Sequence, residues 1–147
     1  MDLAVYQCHH HREGWPDLAL KGFLDFLVAR LRLAPQDLVT LVFADDAFVR
    51  PLNATYRGKD KVTNVLSFAS DAEDELGDLI FALGTIEAEA ADLQKPFEVH
   101  MRHLILHGSL HLLGYDHETP GEALEMESLE TQILAEFGDP DPYAESS

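Results

Sequence analysis

Three histidines carry the most visible chemistry of this sequence. His107, His111 and His117 stand in the stretch His107-Gly108-Ser109-Leu110-His111-Leu112-Leu113-Gly114-Tyr115-Asp116-His117, behind an apolar run that begins near Phe97. Four residues of α-helix amount to about 400° of rotation and roughly 6 Å of rise, so His107 and His111 project from one face, a turn apart. Two ligands of one metal ion need that relation. His117, six residues further on, would point about 240° away if the helix continued. The helix must therefore stop between them. Gly114 can stop it, because glycine enters the left-handed conformation of a helix C-terminus without steric cost. The chain can then turn and carry His117 back toward the pair. Three imidazoles without a fourth protein ligand are the pattern of a catalytic zinc site, with one position open for water. The expectation is a metal-dependent hydrolase holding one zinc ion.

The neighbours of these histidines narrow the chemistry. His100 and His103 continue the same helical face backwards, but residues eight apart, such as His103 and His111, lie about 12 Å apart along the axis. They cannot share an ion, so His100 and His103 are expected to pack or to support the ligands. Asp116, beside the third ligand, is a candidate acceptor for orienting a ligand imidazole, with a surface or capping role as the alternative. The histidine spacing also matches that of metzincin proteases, which carry a glutamate directly after the first histidine as general base. Here that position is Gly108, and peptide hydrolysis would need another base.

The elements that must position these residues can be read from periodicity. Leu3 to Cys8 reads as a short strand, and His9-His10-His11 as a solvated loop, since three adjacent residues do not easily converge on one ion. Trp15-Pro16-Asp17 opens a helix with a broad apolar face from Leu18 to Leu31, ended by Leu33-Ala34-Pro35. Leu38 to Ala44 is a nearly continuous apolar run, as in a central strand. Asp45-Asp46 can cap a helix through about Tyr56, and Arg57 to Lys61 is turn chemistry. Strands follow at Val62 to Phe68 and Gly77 to Leu83, separated by an acidic loop from Asp71 to Leu76. Gly84 breaks the second of them. Thr85 is expected to cap a helix that Lys95-Pro96 stops, ahead of the histidine helix. A last helix starts at Glu118-Thr119-Pro120, and residues 138–147 are expected to fray. This pattern gives one α+β domain over residues 1–147, an α/β sandwich of four or five helices on a mixed sheet of about four strands.

Composition sets the surroundings. The sequence holds 147 residues with a net charge of −17. Residues 1–69 are neutral and the acidic excess lies entirely in 70–147, where Lys95 and Arg102 are the only basic residues. Arg50, Arg57, Lys59 and Lys61 fall in one short window, the only cationic strip on which a polyanion could be held. One cysteine, Cys8, excludes an intramolecular disulfide and fits a reducing cytoplasm. No run is long enough to span a membrane, and the N-terminus lacks the pattern of a signal peptide.

The histidine block resembles the signature of the YbeY family of bacterial endoribonucleases. The segment Leu52-Asn53-Ala54-Thr55-Tyr56-Arg57-Gly58-Lys59-Asp60-Lys61-Val62-Thr63-Asn64-Val65-Leu66-Ser67-Phe68 is similar to that family's N-x-x-Y-R-x-x-D-x-x-T-D-V-L-S-F segment. Gly77-Asp78-Leu79-Ile80 resembles its G-D-I strand and Met126-Glu127 its final helix, so the matches run in order from about residue 38 to 134. Asn64 stands where the family usually has aspartate, and Ala69 where proline usually follows. The resemblance implies a zinc ion on His107, His111 and His117. It also implies that Arg57 handles RNA, in ribosomal RNA maturation and ribosome quality control. Arg57, His107 and His111 are then the expected catalytic residues, with Arg57, Lys59, Lys61 and Ser67 toward the substrate. RNA and the ribosome or its proteins are the expected partners, with neither DNA nor membrane. A ribosome-associated assembly factor with structural zinc, and a metalloprotease, stand as alternatives.

Overall fold

The structure is a computed structural model and describes residues 4–8, 18–33, 38–58, 63–71, 75–116 and 118–143. The expected loop at His9-His10-His11 and the helix start at Trp15-Pro16-Asp17 lie outside these residues. The described strands, β1 (Ala4–Cys8), β2 (Leu38–Ala44), β3 (Val65–Ala69) and β4 (Glu75–Ala82), form one sheet in the order β1-β2-β4-β3. β1 and β4 run parallel to β2, and β3 pairs antiparallel with β4 as an outer strand, so the sheet is mixed. Five helices accompany it: α1 (Leu18–Arg30), α2 (Asp46–Arg57), α3 (Leu83–Asp92), α4 (Phe97–Leu112) and α5 (Pro120–Phe137). The α+β class expected from the sequence is the one observed. None of the helices among the described residues is long and apolar enough to cross a membrane.

Strand alternation divides the core between two faces. Leu41, Phe43, Leu79 and Phe81 point to one side and are buried against Phe23 and Leu27 of α1, Leu104, Ile105 and Leu110 of α4, and Ile133 of α5. Val42, Ala44, Leu66 and Ala82 point to the other, where Val49 and Leu52 of α2 cover them. The near-continuous apolar run of β2 is explained by this burial on both faces. The histidine helix and α2 thus lie on opposite sides of the sheet, and β3, the outer strand among the described residues, runs between them.

Several boundaries differ from expectation. β3 begins at Val65 rather than Val62, where its pairing with Phe81 of β4 starts, and Gly84 breaks no strand but lies inside α3, since β4 ends at Ala82. β4 begins at Glu75 rather than Gly77, because pairing with β2 at Leu38 extends the strand into the acidic segment. Thr85 does not cap α3. The helix starts at Leu83, and Asp46 of α2 supplies the cap instead, its carboxylate accepting from the Thr85 amide at 3.0 Å and the Thr85 hydroxyl at 2.9 Å. Asp45 caps α2 as the sequence suggests, accepting from the Phe48 amide at 2.8 Å. The segment after α5, expected to fray, is tied as far as Tyr143 to α4 and the turn that precedes it. Arg102 donates two 2.7 Å hydrogen bonds to Asp139, and Lys95 Nζ donates to the Pro142 carbonyl at 3.0 Å.

Candidate active site

Helical spacing places His103, His107 and His111 along one side of α4. The imidazoles of His107 and His111 stand side by side, ring centroids 4.6 Å apart, with their Nε2 atoms separated by 3.1 Å. Each ring is held from behind. His107 Nδ1 donates to Oε1 of Glu130 in α5 at 3.0 Å, and His111 Nδ1 donates to the Tyr115 carbonyl at 3.1 Å. A carboxylate and a carbonyl only accept, so the proton of each ring is on Nδ1 and each Nε2 presents a lone pair. Two lone pairs 3.1 Å apart repel unless a cation or a proton lies between them. The edge of a tetrahedral site with metal–nitrogen bonds of 2.0–2.1 Å is about 3.3 Å. The donor set therefore fits a metal ion bound by imidazole nitrogen.

The Tyr115 carbonyl reaches His111 through the helix stop that the sequence points to. Gly114 takes φ +103°, its amide donates to the His111 carbonyl at 3.0 Å, and the Tyr115 amide donates to the Leu110 carbonyl at 3.0 Å. This pair of reverse bonds is a Schellman motif, which folds the chain back over the last turn. What Gly114 visibly accomplishes is the orientation of His111. His117 lies outside the described residues, as do Lys59 and Lys61.

Glu130 is the hub behind the histidines, and the sequence reading missed it. Its side chain is fully buried. Besides His107, it accepts from His103 Nε2 and, at 2.8 Å, from the Tyr143 hydroxyl. Burial opposes its charge, but the hydrogen bonds from His103 and His107 outweigh that cost and hold its carboxyl down to about 2. His103, His107 and Glu130 also offer three ligand atoms within 4.8 Å of one another, a grouping consistent with a metal cofactor here. Glu130 meets His107 at the nitrogen opposite the one that faces His111, so it fixes that ring for a ligand role. Glu130 and the Tyr115 carbonyl are seen to orient the rings of His107 and His111, the role expected of Asp116. Half-buried, Asp116 borders a separate depression with Glu122 and Glu125.

A cleft of about 550 Å³ opens along the edge of β3, with His103, His107 and His111 on one wall and Asn53 and Arg57 on the other. Arg57 leaves the end of α2 on the far side of the sheet. Its guanidinium passes 5.6 Å from the Phe68 ring centroid and donates to the Ser67 carbonyl at 2.5 Å, which brings it round the strand edge to the histidine side. Ser67 lines the cleft through the same stretch of β3. Asn64, the departure from aspartate, has a local reason. Its amide donates to Glu89 at 3.1 Å, and Glu89 in turn pairs with His100 Nε2 at 3.0 Å. An aspartate would set two carboxylates face to face. Nothing in the structure explains Ala69.

The family model described as Endoribonuclease YbeY matches residues 13–138. An endoribonuclease YbeY of Pseudomonas putida is 50% identical over 135 residues, covering 88% of this chain and 85% of that protein. The one from Stutzerimonas stutzeri is 50% identical over 141 residues, covering 92% and 82%. The solution structure of a Thermotoga maritima protein shares the fold, with a TM-score of 0.61 and 22% identity over 95% of this chain and 99% of that one.

Proposed function

The chain belongs to the endoribonuclease YbeY family, and from that premise we propose a zinc-dependent endoribonuclease that cleaves single-stranded RNA during maturation of the small-subunit ribosomal RNA 3′ end and in ribosome quality control. The observation that carries the zinc is the facing pair of Nε2 lone pairs, 3.1 Å apart, with both rings pinned at Nδ1. His117 is the third ligand of this reading. When bound, the ion supplies Lewis acidity toward a phosphoryl oxygen and makes water more acidic.

The chain's own residues do the remaining work. Arg57, held over Phe68 and against Ser67, offers a planar fork to phosphate oxygens on the wall opposite the histidines. There it binds the substrate and stabilises charge growing on phosphorus oxygens. Glu130 and the Tyr115 carbonyl keep the ring protons on Nδ1, so neither His107 nor His111 turns an N–H toward the cleft. Lys59 and Lys61 extend the cationic strip. The acidic excess of residues 70–147 repels RNA from other surfaces and suits contact with basic ribosomal proteins. A cytoplasmic setting goes with this reading.

Replacing His111 with alanine tests it: metal content and RNA cleavage should be lost together. Cleavage that survives in a metal-free H111A protein would refute the proposal. Product ends separate two routes, because a 2′,3′-cyclic phosphate requires attack by the ribose hydroxyl and a linear end attack by water.

A further inference from the structure

The segment that follows α5 belongs to the site rather than to a trailing end. Tyr143 lines the same cleft as His103, His107 and His111. Its ring meets His103 edge-on at 5.4 Å, and its hydroxyl donates to Oε2 of the buried Glu130 at 2.8 Å. The approach is built: Arg102 grips Asp139, Lys95 holds the Pro142 carbonyl, and Asp141 Oδ1 accepts from both the Tyr143 amide at 2.8 Å and the Thr131 hydroxyl at 3.2 Å. Oε2 thus receives the Tyr143 hydroxyl and His103, while Oε1 is left to His107. A carboxylate whose two oxygens are assigned in this way cannot rotate without breaking three hydrogen bonds.

We propose that Tyr143 is a positioning residue, delivered by the Asp139–Tyr143 strap, which locks the Glu130 carboxylate and through it fixes His107 with its proton on Nδ1 and its Nε2 toward the cleft. Tyr143 also lines the cleft beside His103. The inference rests on the metal reading for its consequence but not for its geometry, so the two can fail separately.

The experiment uses the full chain. Nitrogen-15 spectra of metal-stripped protein report which imidazole nitrogen carries the proton. In the wild type His107 Nδ1 should stay protonated whether or not a proton is shared between the two Nε2 atoms, and in Tyr143→Phe, which keeps the ring and removes the hydroxyl, Nδ1 should be protonated only in part. Zinc affinity of Tyr143→Phe should fall about tenfold, the lower range for groups that orient a ligand histidine. On RNA, kcat should fall while KM holds. Asp139→Ala, which frees the strap without altering Tyr143, should shift His107 in the same direction and decides the matter if the first variant folds poorly. An unchanged His107 spectrum in both variants overturns the inference, as does a rise in KM alone, which would make Tyr143 an RNA contact. Wild-type protein that binds no zinc, with the tautomer still shifting in Tyr143→Phe, would sink the metal reading and leave this one standing.

Discussion

Replacing Glu130 with glutamine exchanges one oxygen for an NH₂ group at the hub of the site, and the structure dictates where that group must go. The Oε2 position receives two donors, His103 and the Tyr143 hydroxyl, whereas Oε1 receives only His107. The amide nitrogen meets fewer donors at the Oε1 position. There it faces His107 Nδ1, which must become an acceptor and pass its proton to Nε2. That nitrogen stands 3.1 Å from His111 Nε2, where the ion would bind, and a protonated Nε2 cannot ligate. Zinc affinity should fall by about 10- to 100-fold, or roughly 1.4–2.7 kcal/mol. The three hydrogen bonds are kept but lose their charge assistance, about 1.5–3 kcal/mol in all, which at this chain length lowers the Tm of the metal-free protein by roughly 3–12 °C. Competition titration of stripped protein against a chromophoric chelator measures the first effect and thermal unfolding the second. A folded E130Q protein with wild-type zinc affinity would refute the reasoning.

If Arg57 acts on phosphate as proposed, Arg57→Ala should lower RNA cleavage by about 10²-fold at unchanged zinc content, since its guanidinium is held by Ser67 and Phe68; parallel metal analysis and a cleavage assay check it. Gly108→Ala should cost about 1–3 kcal/mol in denaturant unfolding, because the added Cβ would lie 2.8 Å from Leu79 Cδ2 in the buried face of β4, and Leu79→Val in the same chain should recover part of the loss. Asn64→Asp moves toward the family's usual residue, yet should destabilise by up to about 1 kcal/mol near pH 7, where the new carboxylate and Glu89 are both charged. That deficit should shrink as pH falls toward the carboxyl range and one of the pair takes up a proton, which urea unfolding at a series of pH values will reveal.

The parts of the site legible in the sequence were those governed by periodicity and local chain geometry. The i, i+4 spacing put His107 and His111 on one face, and Gly114 marked the stop, because helix rotation and glycine's backbone freedom are local properties. Glu130 was missed because its partners are 23 and 27 residues away and come together only when α5 packs on α4. A signal was present: Glu130 falls within the apolar stripe of Met126, Leu129, Ile133 and Leu134, where a carboxylate must find donors to be buried. The N-terminal cap of α3 was misplaced for a similar reason, since Asp46 arrives from another helix. Arg57 was identified from charge and resemblance, but its route round the β3 edge depends on strand order, which no local pattern encodes.

Gly108 joins packing to chemistry more closely than its lack of a side chain suggests. In a metzincin this position holds the general base, so glycine argues against peptide hydrolysis on chemical grounds. The structure adds a geometric reason. A side chain at 108 would be aimed at Leu79 in the sheet, about 100° round the helix from His107, and not into the cleft. A glutamate there would be driven against Leu79 in the buried face of the sheet, without reaching a substrate. The same bare position lets α4 lie close against β4, beside the β3 edge that Arg57 rounds from the opposite face. A bulkier residue would lift the histidines away from Ser67 and widen the cleft between them and Arg57. Glycine at 108 therefore sets the separation of the two walls on which the proposed cleavage depends, and G108A should raise KM for RNA even at temperatures where it remains folded.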